Sequence, residues 1–234
     1  MKGLQRLLSA LAGIAMLIIL LISSFEIGAY SNFGWYEKTY AKYNVLDDLE
    51  MEMSDVMRVT KEMMSYLRGN REDLAVETIV DGEEREFFND REKAHMVDVK
   101  KLFAGGLWIR RGAILVLAIA IVLLIRAKAD WKRLLPKSFL ITIGSFIGIT
   151  LAAGVLFMTD FHRYFMIFHE IFFKNDLWLL DPDTDLLIRM LPEGFFLDMV
   201  KRIGFIFLIL MVMVLVISVV ILKSRNIRKT NKSI

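Results

Sequence analysis

Residues 203–222 read IGFIFLILMVMVLVISVVIL, an uninterrupted run without a charged side chain. A helix needs roughly 20 apolar residues to cross the hydrocarbon core of a bilayer, so this run predicts a transmembrane helix. Further apolar runs lie at about 4–29, 107–125 and 138–158. Together they predict an all-α transmembrane protein, a four-helix membrane bundle that forms one integral membrane domain over residues 1–234.

The first apolar run has a basic start, MKGLQR, as a cleaved signal peptide would have. Signal peptides contain an apolar core of about 7–15 residues, followed by a cleavage site of the A-x-A type. The run at 4–29 is longer than that core, and no such site follows it. We therefore expect the first helix to remain uncleaved.

Basic residues are concentrated in particular connections, which predicts the orientation in the membrane. The segment RAKADWKRLLPK (126–137) contains five basic residues and one acid, and the tail KSRNIRKTNKSI contains five and no acid. Short cytoplasmic loops collect Lys and Arg. Both termini are therefore expected in the cytoplasm, and the acidic segments 30–106 and 160–202 on the outer face.

Four basic residues depart from this charge pattern because they lie at the outer ends of the predicted helices. They are Arg110, Arg111, Lys201 and Arg202. Their long side chains are able to reach lipid phosphates while their stems stay in apolar surroundings. We interpret them as lipid contacts, with a ligand contact as the alternative.

The first outer segment shows the pattern of a small helix–hairpin–helix unit. An apolar stripe of helical period runs through 44–68, where Asn44 is a candidate cap and Gly69 a candidate end. The dipeptide Asp81-Gly82, between two short β-forming runs, predicts a two-residue hairpin turn.

A further helix is predicted from about residue 90 to residue 103, in the stretch NDREKAHMVDVKKLF. We expect Gly105-Gly106 to end it before the second transmembrane helix. Helical spacing would place Glu92 and Asp98 on nearly the same face as His95. A carboxylate bonded to one ring nitrogen raises the basicity of the other, as a general base requires. The spacing alone fits a solvated surface helix at least as well.

The stretch FHRYFMIFHEIFF (161–173) combines aromatic residues with ionisable ones. Helical spacing would place His162 and His169 on one face, with Arg163 and Glu170 in a parallel row. We expect an interfacial helical segment whose aromatic residues lie in lipid and whose polar groups face protein or water. An interfacial anchor with no catalytic role is the alternative.

Several familiar catalytic patterns are excluded. The chain contains no cysteine, so thiol nucleophiles, disulfides and thiolate metal ligands are absent. His169-Glu170 begins an H-E-x-x-H motif, but Phe173 occupies the position of the second histidine. The carboxylates at 181–185 begin like an EF-hand loop, but Leu186 stands where that loop needs glycine. No G-x-S-x-G motif is present.

Two stretches carry a family resemblance: EKAHMVDVKKLF (92–103) and FHRYFMIFHEIFFKNDLWLLDPDTDLLIRMLPEGFF (161–196). They resemble the bacterial lipoprotein intramolecular transacylases, a family of four-helix integral membrane proteins. The similarity extends over essentially the whole chain, including YNVLDDLEMEMSDVMRVTKEMMSYLRG (43–69). The two histidine-containing stretches are its specific part.

The resemblance implies an acyl transfer within a lipoprotein. The acyl chain at the sn-2 ester of the diacylglyceryl-cysteine would move to the free α-amine of the same cysteine, giving a lyso-form lipoprotein. It also implies a multi-pass protein of the bacterial cytoplasmic membrane, with its active site on the outer face. The expected partners are diacylated lipoproteins and membrane lipids, with no nucleic acid, and a monomer is compatible with this role.

Ester aminolysis within one substrate molecule requires no enzyme nucleophile, so we expect no covalent acyl-enzyme, no cofactor and no metal. With this resemblance, His95 is the expected general base and His169 the expected acid or oxyanion donor. Asp98 or Glu92 would orient His95. The remaining oxyanion donors and supporting residues are expected among His162, Arg163, Tyr164, Asn175, Trp178, Asp181 and Asp185.

Two other classes of function stay open at this point. The first is a non-enzymatic sensor or partner subunit whose outer unit binds a peptide or lipid. The second is a metal-dependent membrane hydrolase that uses the three histidines, His95, His162 and His169, as ligands.

Overall fold

Four of the helices within residues 2–230 are long and apolar enough to cross a membrane. The computed structural model describes residues 2–230, with side chains described up to residue 225. Its elements in chain order are α1 (Lys2–Tyr30), α2 (Gly34–Lys42), α3 (Val45–Leu49), α4 (Met53–Arg68), β1 (Glu77–Val80), β2 (Glu83–Glu86), α5 (Asp90–Arg126), α6 (Trp131–Thr159), α7 (Phe161–Phe172), α8 (Leu186–Met190) and α9 (Glu193–Thr230). The candidate membrane-spanning helices are α1, α5, α6 and α9. The prediction of a mostly helical membrane protein with four long apolar helices is confirmed.

The predicted break between residues 103 and 107 is wrong, because α5 runs continuously from Asp90 to Arg126. Gly105 and Gly106 lie inside the helix, and neither has the positive φ angle that a glycine helix end requires. A glycine inside a helix costs only about 1 kcal/mol relative to alanine. The strongly helical sequence on both sides outweighs that cost. The residues of α5 before 107 carry seven Asp, Glu, Lys and Arg side chains and lie outside its apolar stretch.

The single helix predicted over 44–68 is also wrong, because the structure has α3 and α4 there. Glu50 interrupts them with a φ angle of 51°. Both Leu49 and Met51 are buried. Residues two apart point to different faces of one helix, so the interruption allows both to reach the same core. Asn44 makes no capping bond to α3. Gly69 ends α4 with a φ angle of 84°, at the predicted position.

The two strands form an antiparallel hairpin in which Val80 pairs with Glu83. Asp81 and Gly82 form the turn with φ angles of 54° and 74°. Positive φ at both central residues is the geometry of the two-residue turn that the Asp-Gly dipeptide favours. Ile79 is exposed on β1, whereas its neighbour Val80 is buried.

The two segments outside the spans form one compact unit, made of residues 28–106 and 157–201. They share a single hydrophobic core rather than two separate ones. Its most deeply buried large side chains are Tyr36, Tyr40, Val45, Leu49, Val56, Phe87, Phe88 and Met190. The helices α2 and α8, which sequence patterns did not predict, contribute to this core. We call residues 28–106 and 157–201 the histidine unit, since it contains all three histidines.

The apolar parts of the four long helices form a second compact unit, made of residues 2–27, 107–156 and 202–230. Its packing is concentrated in two clusters. One joins α1, α5 and α6 through Leu8, Ala12, Ala120, Leu124 and Leu135. The other joins α1, α6 and α9 through Leu17, Leu20, Ile143, Phe207 and Met211. Many other large apolar side chains on these helices are exposed, as lipid-facing surfaces require.

Gly13 marks a close approach of α1 to α6. A Cβ atom at this position would lie 2.5 Å from Thr142 Oγ1 and 2.8 Å from Ser138 Oγ. The Ser138 hydroxyl donates a hydrogen bond of 2.5 Å to the carbonyl of Ser9, one turn earlier on α1. Small residues at helix contacts in membranes allow the backbones to approach in this way.

We expect Gly13→Ala to lower the thermal unfolding temperature of the protein in detergent. Overpacking at such a contact costs about 1–3 kcal/mol, against a gain of up to about 1 kcal/mol in helix propensity. Gly112→Ala on α5 is the matched control, because no atom lies within 4 Å of the place that its new methyl group would take. That control should leave the unfolding temperature unchanged or raise it. Equal effects at both sites would contradict the close contact.

Candidate active site

His95 and His169 meet inside the histidine unit, although they belong to different helices. His95 lies on the first turns of α5 and His169 near the end of α7. Their ring centroids are 6.3 Å apart, with an angle of 36° between the ring planes. The two residues are only 7% and 8% exposed. The structure therefore brings together the two histidines that the sequence analysis selected as catalytic.

Aromatic rings surround this histidine pair. Phe173 is buried, and its ring centroid lies 5.1 Å from that of His95 and 5.5 Å from that of His169. Trp178 stacks on His169 with a centroid distance of 4.9 Å. Phe165 lies at 4.3 Å and Phe168 at 5.3 Å from His169. Of these rings, only Trp178 was predicted from the sequence to belong to the site.

A local signal was present for two of the missed phenylalanines. Phe165 is four residues before His169 and Phe173 four residues after it. On a continued helical turn these positions lie on the same face. The spacing alone gave no reason to choose them over the other aromatic residues of the stretch.

A backbone hydrogen bond orients the imidazole of His169. Its Nδ1 lies 2.7 Å from the carbonyl oxygen of Phe165. A carbonyl only accepts, so Nδ1 carries the hydrogen and donates it. In the neutral ring, Nε2 is then the nitrogen with a free lone pair. Burial lowers the pKa of His169, an effect that the bond to Phe165 opposes.

The pKa of His95 lies well below that of an exposed histidine. Its Nδ1 is buried and has no hydrogen-bond partner among the described residues. Burial, together with the neighbouring His169, lowers the pKa of His95 to about 4. Both rings are consequently neutral at neutral pH, since their pKa values lie below the ordinary value of 6.5. A buried pair of neutral imidazoles is suited to proton transfer without holding a fixed charge.

Asp98 is linked to the loop after α7 rather than to the Nδ1 of His95. Its carboxylate accepts hydrogen bonds from Asn175 Nδ2 at 2.9 Å and from Lys101 Nζ at 3.0 Å. The bond from Asn175, followed by that from Lys101, lowers the pKa of Asp98. The charged carboxylate acts on His95 through space, opposing the fall in the pKa of that ring. Asn175 is therefore connected to the site by its hydrogen bond to Asp98.

Glu92 does not act on His95 as the sequence analysis expected. It is completely buried, and its two oxygens accept hydrogen bonds from the backbone amides of Asn89 and Leu187. Burial raises the pKa of its carboxyl group, although the two amide bonds oppose this rise. Its spacing from His95 is helical, but its oxygens face other partners. The expectation that Glu92 orients His95 by bonding directly to its Nδ1 atom is therefore wrong.

The other predicted site residues have partners of their own. His162 is largely exposed, and its Nδ1 lies 2.9 Å from Glu193 Oε2. Arg163 is exposed, and its backbone amide donates to the capping carboxylate of Asp160 at 3.2 Å. Tyr164 packs its ring against Phe157, at a centroid distance of 5.1 Å.

Asp181 and Asp185 shape the loop before α8. The Asp185 carboxylate accepts from the Asp181 amide at 2.7 Å, and Asp181 Oδ1 accepts from the Asp183 amide at 3.0 Å. Asp185 is 3% exposed, whereas Asp181 and Asp183 are at the surface. Within the part of the chain that the structure describes, no group of three or more His, Asp or Glu side chains is arranged to hold a metal ion.

These features define a polytopic membrane protein with a buried histidine pair, enclosed by aromatic rings, in the unit outside its apolar spans. The family model described as lipoprotein intramolecular transacylase Lit matches residues 10–196, and the chain belongs to this family of enzymes. No curated protein gave a match.

Solved structures of a relative have the same fold. The chain superposes on the membrane-integral lipoprotein intramolecular transacylase Lit from Bacillus cereus with a TM-score of 0.77 and 19% sequence identity, covering 97% of this chain and 100% of the other. A second structure of that protein, in which a histidine is replaced by alanine, gives a TM-score of 0.75 and 20% identity, covering 97% of both chains.

The low pKa of His95 predicts a loss of stability on acidification. Between pH 6.5 and about 4 the unfolded state binds a proton that the folded state does not, so stability falls as the pH falls. The full shift corresponds to at most about 3 kcal/mol. We expect His95→Asn to reduce the pH dependence of the unfolding temperature in this window.

The control for this measurement is His162→Asn, which makes the same change at an exposed position. Its unfolding temperature should keep the part of the pH dependence that arises from the buried His95. The comparison uses the slope of the unfolding temperature against pH. It does not use the absolute stability, because a polar amide in place of the His95 ring also affects packing. Identical slopes for all three proteins would contradict the burial of His95 as a neutral ring.

Proposed function

We propose that the protein transfers the sn-2 acyl chain of a diacylglyceryl-cysteine lipoprotein to the α-amine of the same cysteine, by histidine acid–base catalysis and without a covalent acyl-enzyme. The observation that carries the proposal is the buried, neutral pair of His95 and His169 within a chain of the transacylase family. The reaction is an ester aminolysis, and both reacting groups belong to one substrate molecule. The main task of the enzyme is then to orient them.

The chemistry needs two proton transfers and a donor for the oxyanion. The amine nitrogen attacks the ester carbonyl and loses a proton, and the bond from that carbon to the glycerol oxygen breaks. The departing oxygen then takes up a proton. A single base is able to accept the first proton and return it to the leaving oxygen. A neutral N–H donor suffices to stabilise the tetrahedral oxyanion.

The hydrogen bond to Phe165 favours His169 as this base. It assigns the hydrogen to Nδ1 and leaves the lone pair of Nε2 for the amine proton. His95, with its lower pKa, then acts as the neutral donor to the oxyanion. This assignment exchanges the roles that the sequence analysis gave to the two histidines. Trp178 holds His169 by stacking, and Asp98 with Asn175 holds the loop next to it.

The outer surface of α7 supports a lipidic substrate. Phe168, Ile171 and Phe172 are 41%, 69% and 52% exposed. Large exposed apolar side chains next to a buried polar site suit a substrate with acyl chains and a polar junction. We place α7 in the interface of the outer leaflet, with these side chains among lipid tails.

We expect His95→Ala and His169→Ala each to lower the rate of acyl transfer by about 10²–10⁴-fold, because each removes a proton-transferring or hydrogen-bonding group. Mass spectrometry of lipoprotein N-terminal peptides, from bacteria that lack this activity and express each variant, gives the ratio of lyso-form to diacylglyceryl form. His162→Ala is the comparison, since the exposed His162 bonds to Glu193.

Two outcomes would contradict this assignment. If the unaltered protein is well expressed and lipoproteins remain in the diacylglyceryl form, the reaction itself is wrong, and a binding role becomes the better account. If the double His95→Ala and His169→Ala variant remains fully active, the site is wrong. Loss of activity on strong chelation, with recovery on adding a divalent metal, would favour the metal-dependent alternative.

The absence of cysteine allows a clean test of orientation. We expect Glu84→Cys in the hairpin to react with a membrane-impermeant maleimide in intact spheroplasts, because residues 30–106 are proposed to face outward. Lys132→Cys, in the basic connection between α5 and α6, should react only after the membrane is permeabilised. Glu84 and Lys132 are both exposed, so exposure within the protein does not explain a difference. The reverse pattern would contradict the proposed topology.

A further inference from the structure

The start of α5 carries a capping box immediately before His95. The side chain of Asn89 accepts a hydrogen bond from the Glu92 amide at 3.0 Å, and Glu92 Oε2 accepts from the Asn89 amide at 2.7 Å. This reciprocal pair satisfies two amides at the helix start that have no partner within the helix. It uses only one of the two oxygens of Glu92.

The remaining polar atoms of this box are bonded to the start of α8, far along the chain. Glu92 Oε1 accepts from the Leu187 amide at 2.5 Å. In the opposite direction, Asn89 Nδ2 donates to Asp185 Oδ1 at 2.7 Å. Asp185 is the residue before α8, and its other oxygen accepts from the Asp181 amide. Each helix thus provides groups that satisfy the other.

The burial of these groups makes the arrangement costly to disturb. Glu92 is 0% exposed and Asp185 is 3% exposed. Removing one partner of a buried hydrogen-bonded pair leaves the other unsatisfied, which destabilises the folded protein. The Asp185 carboxylate is bonded to the side chain of Asn89, and the Glu92 carboxylate to the backbone amides of Asn89 and Leu187, so both are confined to one geometry.

The two helix starts lead directly to the two histidines. Glu92 is three residues before His95 on the same helix. The loop that Asp185 closes contains Trp178, whose indole stacks on His169. The beginning of the same loop is also bonded to α5, since Arg91 donates to the carbonyl of Asp176 at 2.6 Å. The loop that carries Trp178 is thus held to α5 at its beginning and to Asp185 at its end.

We propose that Asn89, Glu92 and Asp185 are positioning residues, which set the distance between His95 and His169 by bonding the start of α5 to the start of α8. The inference rests on the proposed function of the histidine pair. It assigns Glu92 a role that differs from direct contact with the imidazole. None of the three touches the substrate in this account.

Exchanging an amide and a carboxylate between positions 89 and 185 tests the link without removing either cap. Asn89→Asp keeps an oxygen for the Glu92 amide but places a carboxylate against that of Asp185. Asp185→Asn keeps an oxygen for the Asp181 amide but sets two NH₂ groups against each other. In the double variant the donor and the acceptor change places, and the hydrogen bond is restored. Asn and Asp are both good N-cap residues, so Asn89→Asp retains the cap of α5, and Asp185→Asn leaves the bond from the Leu187 amide to Glu92 intact.

We expect each single variant to lower kcat per folded molecule by about tenfold to a hundredfold, the scale of a small misplacement, and the double variant to recover most of it. Folded protein is counted as the monodisperse fraction in gel filtration. Asp183→Asn is the matched control, because it makes the same change at an exposed position in the same loop. It should leave kcat unchanged.

A spectroscopic measurement separates positioning from simple stabilisation. The emission of an indole depends on its surroundings, so the fluorescence lost on Trp178→Phe, measured in each background, reports the contact with His169. The single variants should change that contribution and the double variant should return it to its original value. Single variants that lower the unfolding temperature but keep kcat and the Trp178 signal would overturn the proposal. So would a double variant as impaired as the singles.

The two proposals fail in different ways. If the unaltered protein has no transacylase activity, the proposed function is lost. The Trp178 signal of the four proteins then still decides whether the capping residues control the contact with His169.

Discussion

A backbone that crosses hydrocarbon must satisfy its own amides and carbonyls, and this constraint shapes the rest of the protein. It requires helices through the four apolar runs. In α5 the helix does not end with the apolar stretch but continues from Arg126 back to Asp90. His95 consequently lies on the same helix as a membrane span. A site built on regular elements holds its geometry better than one built on loops.

The surroundings of the two imidazoles disfavour their charged forms. Phe173 and Trp178 provide apolar surroundings, and burial lowers the pKa of both rings. The carboxylates nearest in sequence to His95 are engaged elsewhere, Glu92 with two backbone amides and Asp98 with Asn175. They therefore anchor the surrounding segments. Such polar anchors stabilise the shape of an apolar pocket, while the charge of Asp98 still acts on His95 through space.

Local patterns predicted the elements whose signals are local. The apolar runs, the Asp81-Gly82 turn and the end of α4 at Gly69 all follow from a few neighbouring residues. Predictions failed where burial in the tertiary structure, or the helix preference of the flanking sequence, outweighed a weak local signal. The glycines at 105 and 106 remain helical because the flanking sequence favours a helix. The helix expected over 44–68 is interrupted because its residues are buried on more than one side.

By itself the sequence determined the class of protein, the four apolar spans and the two stretches that contain His95 and His169, because hydropathy, composition and period are properties of neighbouring residues. Only the tertiary structure decided that His95 and His169 face each other, that Phe173 contacts both, and that Glu92 bonds to the amide of Leu187. These contacts join residues far apart in the chain. Their geometry depends on how the helix ends pack, and the periodicity of a single segment does not predict that packing.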